Sequence, residues 1–348
     1  MKKQLKILSH SLTVGIFIIT GCFVPGLAAA DAGEVNVYSA RKEALILPLL
    51  ERFEQQHNVK VNLVTGKADG LLKRIQLEGA ATPADVFITV DAGRLHRAKE
   101  AEVFMQLNSD AVNTAVPEHL RDADGYWTAL SKRARTIIYA KDRVDAGKLS
   151  TYEALVDPHW KGRVCIRSSG NIYNQSLVSS MIEAIGESET QKWATAFVPN
   201  FARPPTGGDT DQIKAVAAGQ CDLAIANTYY FGRLSASEKS EDRELASRVK
   251  VFWPNQSDRG THINVSGAGI IKHTKNLDNA VALIEFLLEP QSQQWYAAVN
   301  HEYPVVPGTE ISEILKSFGD FKSDDLNLSK LGVNNRKAVK VMDRAGWK

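Results

Sequence analysis

From residue 34 onward, short apolar runs alternate with segments of helical period, and no other feature limits the possible folds so strongly. "EVNVYSA" reads as a strand, "EALILPLLERFEQQH" as an amphipathic helix, "VKVNLVTG" as a strand, "ADGLLKRIQLEGA" as a helix and "ADVFITVD" as a third strand. This repetition predicts α/β units around a largely parallel sheet, and the unbroken apolar runs suit strands buried on both faces. After "YWTALSKRARTIIYAKDRV", an extended crossing segment, a second set begins. It has "KGRVCIRSS" and "GQCDLAIANTYY" as strands, with "QSLVSSMIEAIG" and "TDQIKAVAAG" as helices. The strand-like "HINVSGAGIIKHT" and the helices "NLDNAVALIEFLLEP" and "PQSQQWYAAVN" follow. A chain that leaves one lobe, builds another and comes back produces this order. The expectation is a two-lobed α/β protein with two crossovers and a cleft between the lobes. The boundaries read as 31–131 for the first lobe, 132–262 for the second, and 263–348 for the return and C-terminal helices. At 348 residues the chain is long enough for both.

Residues 1–30 stand apart. "MKKQLK" supplies three lysines, and the apolar "LTVGIFIITGCFVPGLAAA" ends in small residues. That is the pattern of a secretory signal peptide. Pro25 and Gly26 interrupt the apolar stretch, which falls short of the roughly 20 residues of a membrane span. Cleavage after Ala30 would release a soluble protein starting at Asp31, and the small residues of "GLAAADAGE" favour this form. "ITGC" at Ile19–Cys22 also resembles a bacterial lipobox, in which Cys22 would carry lipid. Export leaves Cys165 and Cys221 in an oxidising compartment, where a disulfide is the expectation and two buried thiols the alternative.

The composition, 44% hydrophobic and 24% charged, is that of a folded soluble protein. A formal net charge of +2 without a dense basic stripe argues against nucleic acid as a partner. "SASEKSEDRELASR" reads as a solvated helix or loop. An exported hydrolase finds no G-x-S-x-G elbow, no H-E-x-x-H helix and no Cys–His pair. "VSGAG" is too short and badly spaced for a nucleotide loop.

One stretch asks for an explanation. "AIANTYYFGRL" sets Tyr229 beside Tyr230 after a buried-looking strand. On a strand the two rings would face opposite ways, which is packing. At a helix start or in a loop they would converge, presenting two phenol oxygens at one point.

"VNVYSARKEALILPLLERF", "PADVFITVDAGRL", "LSKRARTIIYAK", "RSSGNIYNQSL", "ANTYYFGRL" and "PNQSDRGTHINVSGAG" together resemble the ferric-iron-binding proteins of bacterial ABC transporters, over nearly the whole mature chain. The resemblance implies a type II periplasmic binding-protein fold and no catalysis. It also implies periplasmic capture of Fe(III) and hand-over to an inner-membrane ABC permease. Fe(III) is small, hard and highly charged and favours anionic oxygen, extending the ligand-softness argument. A bound cation removes a phenol's proton as metals do for water and thiols. Tyr229 and Tyr230 then make sense as a ligand pair, and Tyr173 in "SSGNIYNQS" matches the family's third tyrosine.

The first lobe departs from one branch of the family. A His-Tyr pair follows the first strand there, whereas "SARKEALI" places Lys42 and Glu43 at those positions. Glu43 is either a carboxylate ligand or an acid favoured by a helix N-terminus. Carbonate, water or another small anion would complete the coordination, held by the planar guanidinium of Arg133 or Arg233. In an extended "SKRAR", Arg133 and Arg135 share one side; surface or inter-lobe salt bridges are the alternative for these arginines. His262 reads as structural and His301 as a loop residue, while Asp91 either caps the next helix or lines the cleft. A shuttle of this kind is most simply a monomer. The same-fold alternative is a binder of a small organic ligand such as a phosphonate, thiamine or a polyamine.

Overall fold

The computed structural model describes residues 33–348; the expected signal peptide and Cys22 lie outside the described residues. The chain opens with β1 (Glu34–Ser39), α1 (Leu47–His57), β2 (Lys60–Thr65), α2 (Ala68–Glu78), β3 (Val86–Val90) and α3 (Ala92–Glu100). The helical segment expected from Glu43 begins one step later. Glu43–Leu45 is a 3-10 turn, and Pro48 stands in the first turn of α1, where its missing N–H costs nothing. After β4 (Phe104–Met105) and α4 (Asp110–Ala115), the crossing segment forms the long strand β5 (Thr128–Ala140).

The second lobe follows. It contains β6 (Val164–Cys165), α5 (Ile172–Ile185), α6 (Glu187–Phe197), α7 (Asp209–Ala217), β7 (Leu223–Asn227), α8 (Thr228–Ser235), α9 (Ser240–Ser247) and β8 (Val249–Phe252). Last come β9 (Ile263–Ile271), α10 (Leu277–Leu288), α11 (Pro290–Ala298), α12 (Glu313–Lys316), α13 (Ser329–Val333) and α14 (Asn335–Arg344).

The strands run β2-β1-β3-β9-β5-β7-β6, with β4 on β9 and β8 on β5. The expectation of a largely parallel sheet needs correction. β1 pairs parallel with β2 and β3, and β6 with β7, but every pairing of β5 and β9 is antiparallel. These two strands join the lobes, and a connecting strand that runs back along its neighbour is antiparallel to it. β5 changes partner in mid-course: Thr128–Ala134 pair with β9 and Arg135–Tyr139 with β7. Its burial is nearly continuous, as a strand at the centre of both sheets requires.

One hydrophobic core, including Val37, Phe53, Phe87, Trp127 and Ile284, fills the first lobe. Two more cover the faces of the second-lobe sheet, one around Trp193 and Phe197 and one around Ile138, Val216 and Phe318. The Cys165–Cys221 disulfide lies in the latter core and ties β6 to the approach to β7. The chain does not end where it returns. Ala338, Val341 and Met342 of α14 and then Trp347 pack into the second-lobe core with Trp193. The indole N–H of Trp347 donates to the carbonyl of Arg167 at 3.0 Å. Among the described residues no helix is long and apolar enough to cross a membrane.

Candidate metal centre

Tyr229 and Tyr230 lie in the first turn of α8, directly after the buried strand β7. The helix start brings the two rings to one side, their centroids 4.2 Å apart and tilted by 32°. Tyr173 comes from the first turn of α5, where the side chain of Asn171 accepts from the backbone N–H of Tyr173 at 3.1 Å and so caps the helix. The Tyr229 hydroxyl donates to that of Tyr173 at 3.2 Å. Three phenols from two helix N-termini therefore face one cavity of about 140 Å³.

The rest of the lining comes from the segment after β1 (Arg41, Lys42 and Leu45), the end of β3 (Val90), β5 (Arg133) and the segment after α11 (Glu302). Arg233 completes the second-lobe side. Glu302 is buried and held by Arg41 at 3.1 Å and Arg133 at 3.3 Å, and it also accepts from Ser131. Burial alone would raise its carboxyl, but the two guanidiniums and the Ser131 hydroxyl outweigh this and bring it down to about 2. Arg133 Nη2 also donates to Ser266, whereas its Nε and Nη1 are buried without a protein partner. The Arg133 guanidinium stands 5.6 Å from the Tyr229 ring centroid, and that of Arg233 stands 4.9 Å from it.

Burial pushes the Tyr229 phenol well above its ordinary value, reinforced by the neighbouring Tyr173 and Tyr230. Burial also pushes Tyr230 up to about 12, with Tyr173 and Asp209 adding to the effect. A cation able to displace those protons would gain phenolate oxygens already gathered at one point. Among the described residues no cluster of three His, Cys, Asp or Glu side chains could hold a metal; the acidic oxygens of this lining are the three phenols and the Glu302 carboxylate, which is already paired with Arg41 and Arg133.

Tyr173, Tyr229, Tyr230, Arg133 and Arg233 thus come together at one cavity, but Glu43 does not. Both Glu43 and Lys42 are exposed, but Lys42 belongs to the lining and Glu43 does not. Arg135 shares the side of β5 that carries Arg133 but serves the second lobe. It donates to Asp209 at 3.1 Å, Asn227 at 3.2 Å and Asn174 at 2.6 Å. His262 is structural. Its backbone N–H donates to the Tyr152 hydroxyl at 3.2 Å, and burial lowers its imidazole to about 3.

Arg41, Glu302 and Asp209 were not foreseen. "HEYP" carried no spacing signal for Glu302, because its partners are 261 and 169 residues away. His301 packs against Gly232 of α8, where an added Cβ would meet the His301 Cβ at 2.7 Å and its ring Cγ at 2.9 Å, so glycine is what permits this approach.

Similarity to known proteins follows the same outline. Iron uptake protein A1 of Synechocystis sp. is 51% identical over 98% of this chain and 96% of its own. The Fe(3+)-binding periplasmic protein of Serratia marcescens is 28% identical over 92% of each chain. The Trichodesmium protein IdiA (FutA), solved in complex with iron and citrate ligands, superposes with a TM-score of 0.89 at 49% identity. That match covers 91% of this chain and 100% of that one. The family model for bacterial extracellular solute-binding proteins matches residues 49–317. With fold, cleft and relatives in agreement, the chain belongs to the bacterial extracellular solute-binding protein family.

Proposed function

We propose that this protein is an exported, non-catalytic binding protein that captures Fe(III) between its lobes and delivers it to an ABC permease in the inner membrane. The observation that carries the reading is the meeting of Tyr173, Tyr229 and Tyr230 at a 140 Å³ cavity, with the Tyr229 and Tyr173 oxygens 3.2 Å apart. Relatives named for iron uptake and for periplasmic Fe(3+) binding support it. The proposed ligands are the three phenolates. Glu43 is left outside the set because it does not line the cavity.

Four cations, Arg41, Lys42, Arg133 and Arg233, and one carboxylate, Glu302, complete the charged and polar part of the lining. Such a wall suits a small anion, carbonate or a carboxylate, that would finish the iron shell. The unpartnered Nε and Nη1 of Arg133 are its proposed anchor. The lobes are proposed to divide within β5, between residues 131 and 132, and again just before β9, between 262 and 263. The cavity is complete within one chain, as suits a monomer moving through the periplasm.

A phosphonate, thiamine or polyamine fits less well. Pockets for organic ligands run to about 300–1,000 Å³ and are mostly apolar. The test is a titration of the metal-stripped protein, expressed with its own leader, with ferric citrate while recording the visible spectrum. A phenolate–Fe(III) band saturating at one equivalent is expected. No band, together with no protection from thermal unfolding, would reject iron as the ligand.

A further inference from the structure

Asp91 takes no part in the cavity described above, yet it is wholly buried and holds a left-handed φ of 82°. Such a backbone is uncommon outside glycine and persists only where its surroundings enforce it. One carboxylate oxygen accepts from the Gly93 N–H at 2.9 Å, capping α3, and also from the Ser176 hydroxyl at 2.7 Å. The other accepts from the Asn264 side-chain amide at 2.8 Å. The Asn264 oxygen in turn accepts from the N–H groups of Ala92 and Val265, each at 2.8 Å.

In the first lobe, Asp91 is the N-cap of α3, Gly93 lies in the first turn of α3 and Asn264 in β9. Ser176 belongs to α5 of the second, one helical turn beyond Tyr173. The two helix ends nearly touch: a Cβ on Gly93 would lie 3.4 Å from Ile172 Cδ1. A carboxylate fixed by first-lobe donors therefore reaches across the cleft to the helix that carries a phenol.

We propose that Asp91 is a positioning residue: with Ser176 it forms an inter-lobe latch that holds the N-terminus of α5 against the first lobe and slows release of the cargo. Hydrogen bonds to a charged acceptor are stronger than neutral ones, and this one is fully buried. Opening the cleft would return the Ser176 hydroxyl to water and leave the Asp91 cap in place. The latch thus biases the open–closed balance by the difference between those two states.

The test uses Ser176→Ala, which removes the bridging donor and spares the cap. Ser180→Ala serves as a control, because the Ser180 hydroxyl donates only to Leu177 of its own helix. Small-angle scattering of the metal-free proteins and stopped-flow release of Fe(III) to a chelator are the readouts; the second rests on the iron reading, the first does not. Ser176→Ala is expected to have a larger radius of gyration and about tenfold faster release, equivalent to 1.4 kcal/mol. Its visible band should stay at the parental wavelength, because the ligands are untouched. Ser180→Ala should match the parent in both readouts. Parental compactness and release rate in Ser176→Ala, or the same change in Ser180→Ala, would overturn the latch. If no protein binds iron, expansion confined to Ser176→Ala supports the latch while the ligand reading fails.

Discussion

The two walls of the cavity are built from opposite chemistry. The second-lobe wall offers three phenol oxygens, each raised on the first turn of a helix whose fold fixes its direction. The first-lobe and crossing segments offer Arg41, Lys42 and Arg133, with Glu302 already held by two of those guanidiniums. In the proposed reading a hard cation takes its donors from the phenol side, because the carboxylate opposite is already tied to two guanidiniums. The other side attracts negative charge, so the ion and a companion anion would share the space, each facing the wall that suits it. The lesson is that closure of the lobes need not rely on metal bonds to both.

The contrast can be broken most directly at the phenols. Tyr230→Phe or Tyr229→Phe should lower Fe(III) affinity by more than about 100-fold, since partners behind a ligand already carry about 10–100-fold. The visible band should weaken in parallel during a chelator competition. If either variant binds like the parent, the second-lobe wall is not the metal wall.

Acid probes the same wall. Burial holds Tyr229 well above its ordinary value and Tyr230 at about 12, so both are neutral in the empty protein near pH 7. Binding must then release at least these two protons, and affinity rises with pH. The expected slope is about 100-fold per pH unit, read by titration at a fixed free Fe(III) level between pH 6 and 8. A flat profile would contradict phenolate ligation.

The cationic wall is tested more gently. Arg133→Gln should weaken Fe(III) binding by about tenfold when a carboxylate or carbonate is present, the scale of one charge-assisted contact. It should change little in anion-depleted buffer, and equal losses in both buffers would remove the anion from this wall. Glu43→Ala sets the lower limit: binding within error of the parent is expected, because the side chain is exposed outside the lining. A loss of tenfold or more would return a carboxylate ligand to the first lobe.

Much of this was legible in the residues. Helical and strand periods located β1, α1, β2, α2 and β3, because each element buries a face whose spacing is written locally. The tyrosine pair was legible as a candidate from its position after a strand, and Tyr173 through the motif around it. The mixed strand directions were not, because "SKRAR" and "HINVSGAG" look alike in parallel and antiparallel pairing. Asp91 was readable as a helix cap, which it is, but the cap motif carries no trace of Ser176, 85 residues away.

By itself the sequence determined the order of the elements, the Cys165 and Cys221 available for bonding, and the phenols that the proposed function takes as donors. These depend on side-chain type and short-range spacing. The tertiary structure alone decided that Tyr229 and Tyr173 meet at 3.2 Å, that Lys42 rather than Glu43 lines their cavity, and that Glu302 is neutralised by Arg41 and Arg133. Each of those facts depends on distance between groups far apart in the chain. Electrostatic and hydrogen-bond energies fall off over a few ångströms, so only the folded backbone could assign them.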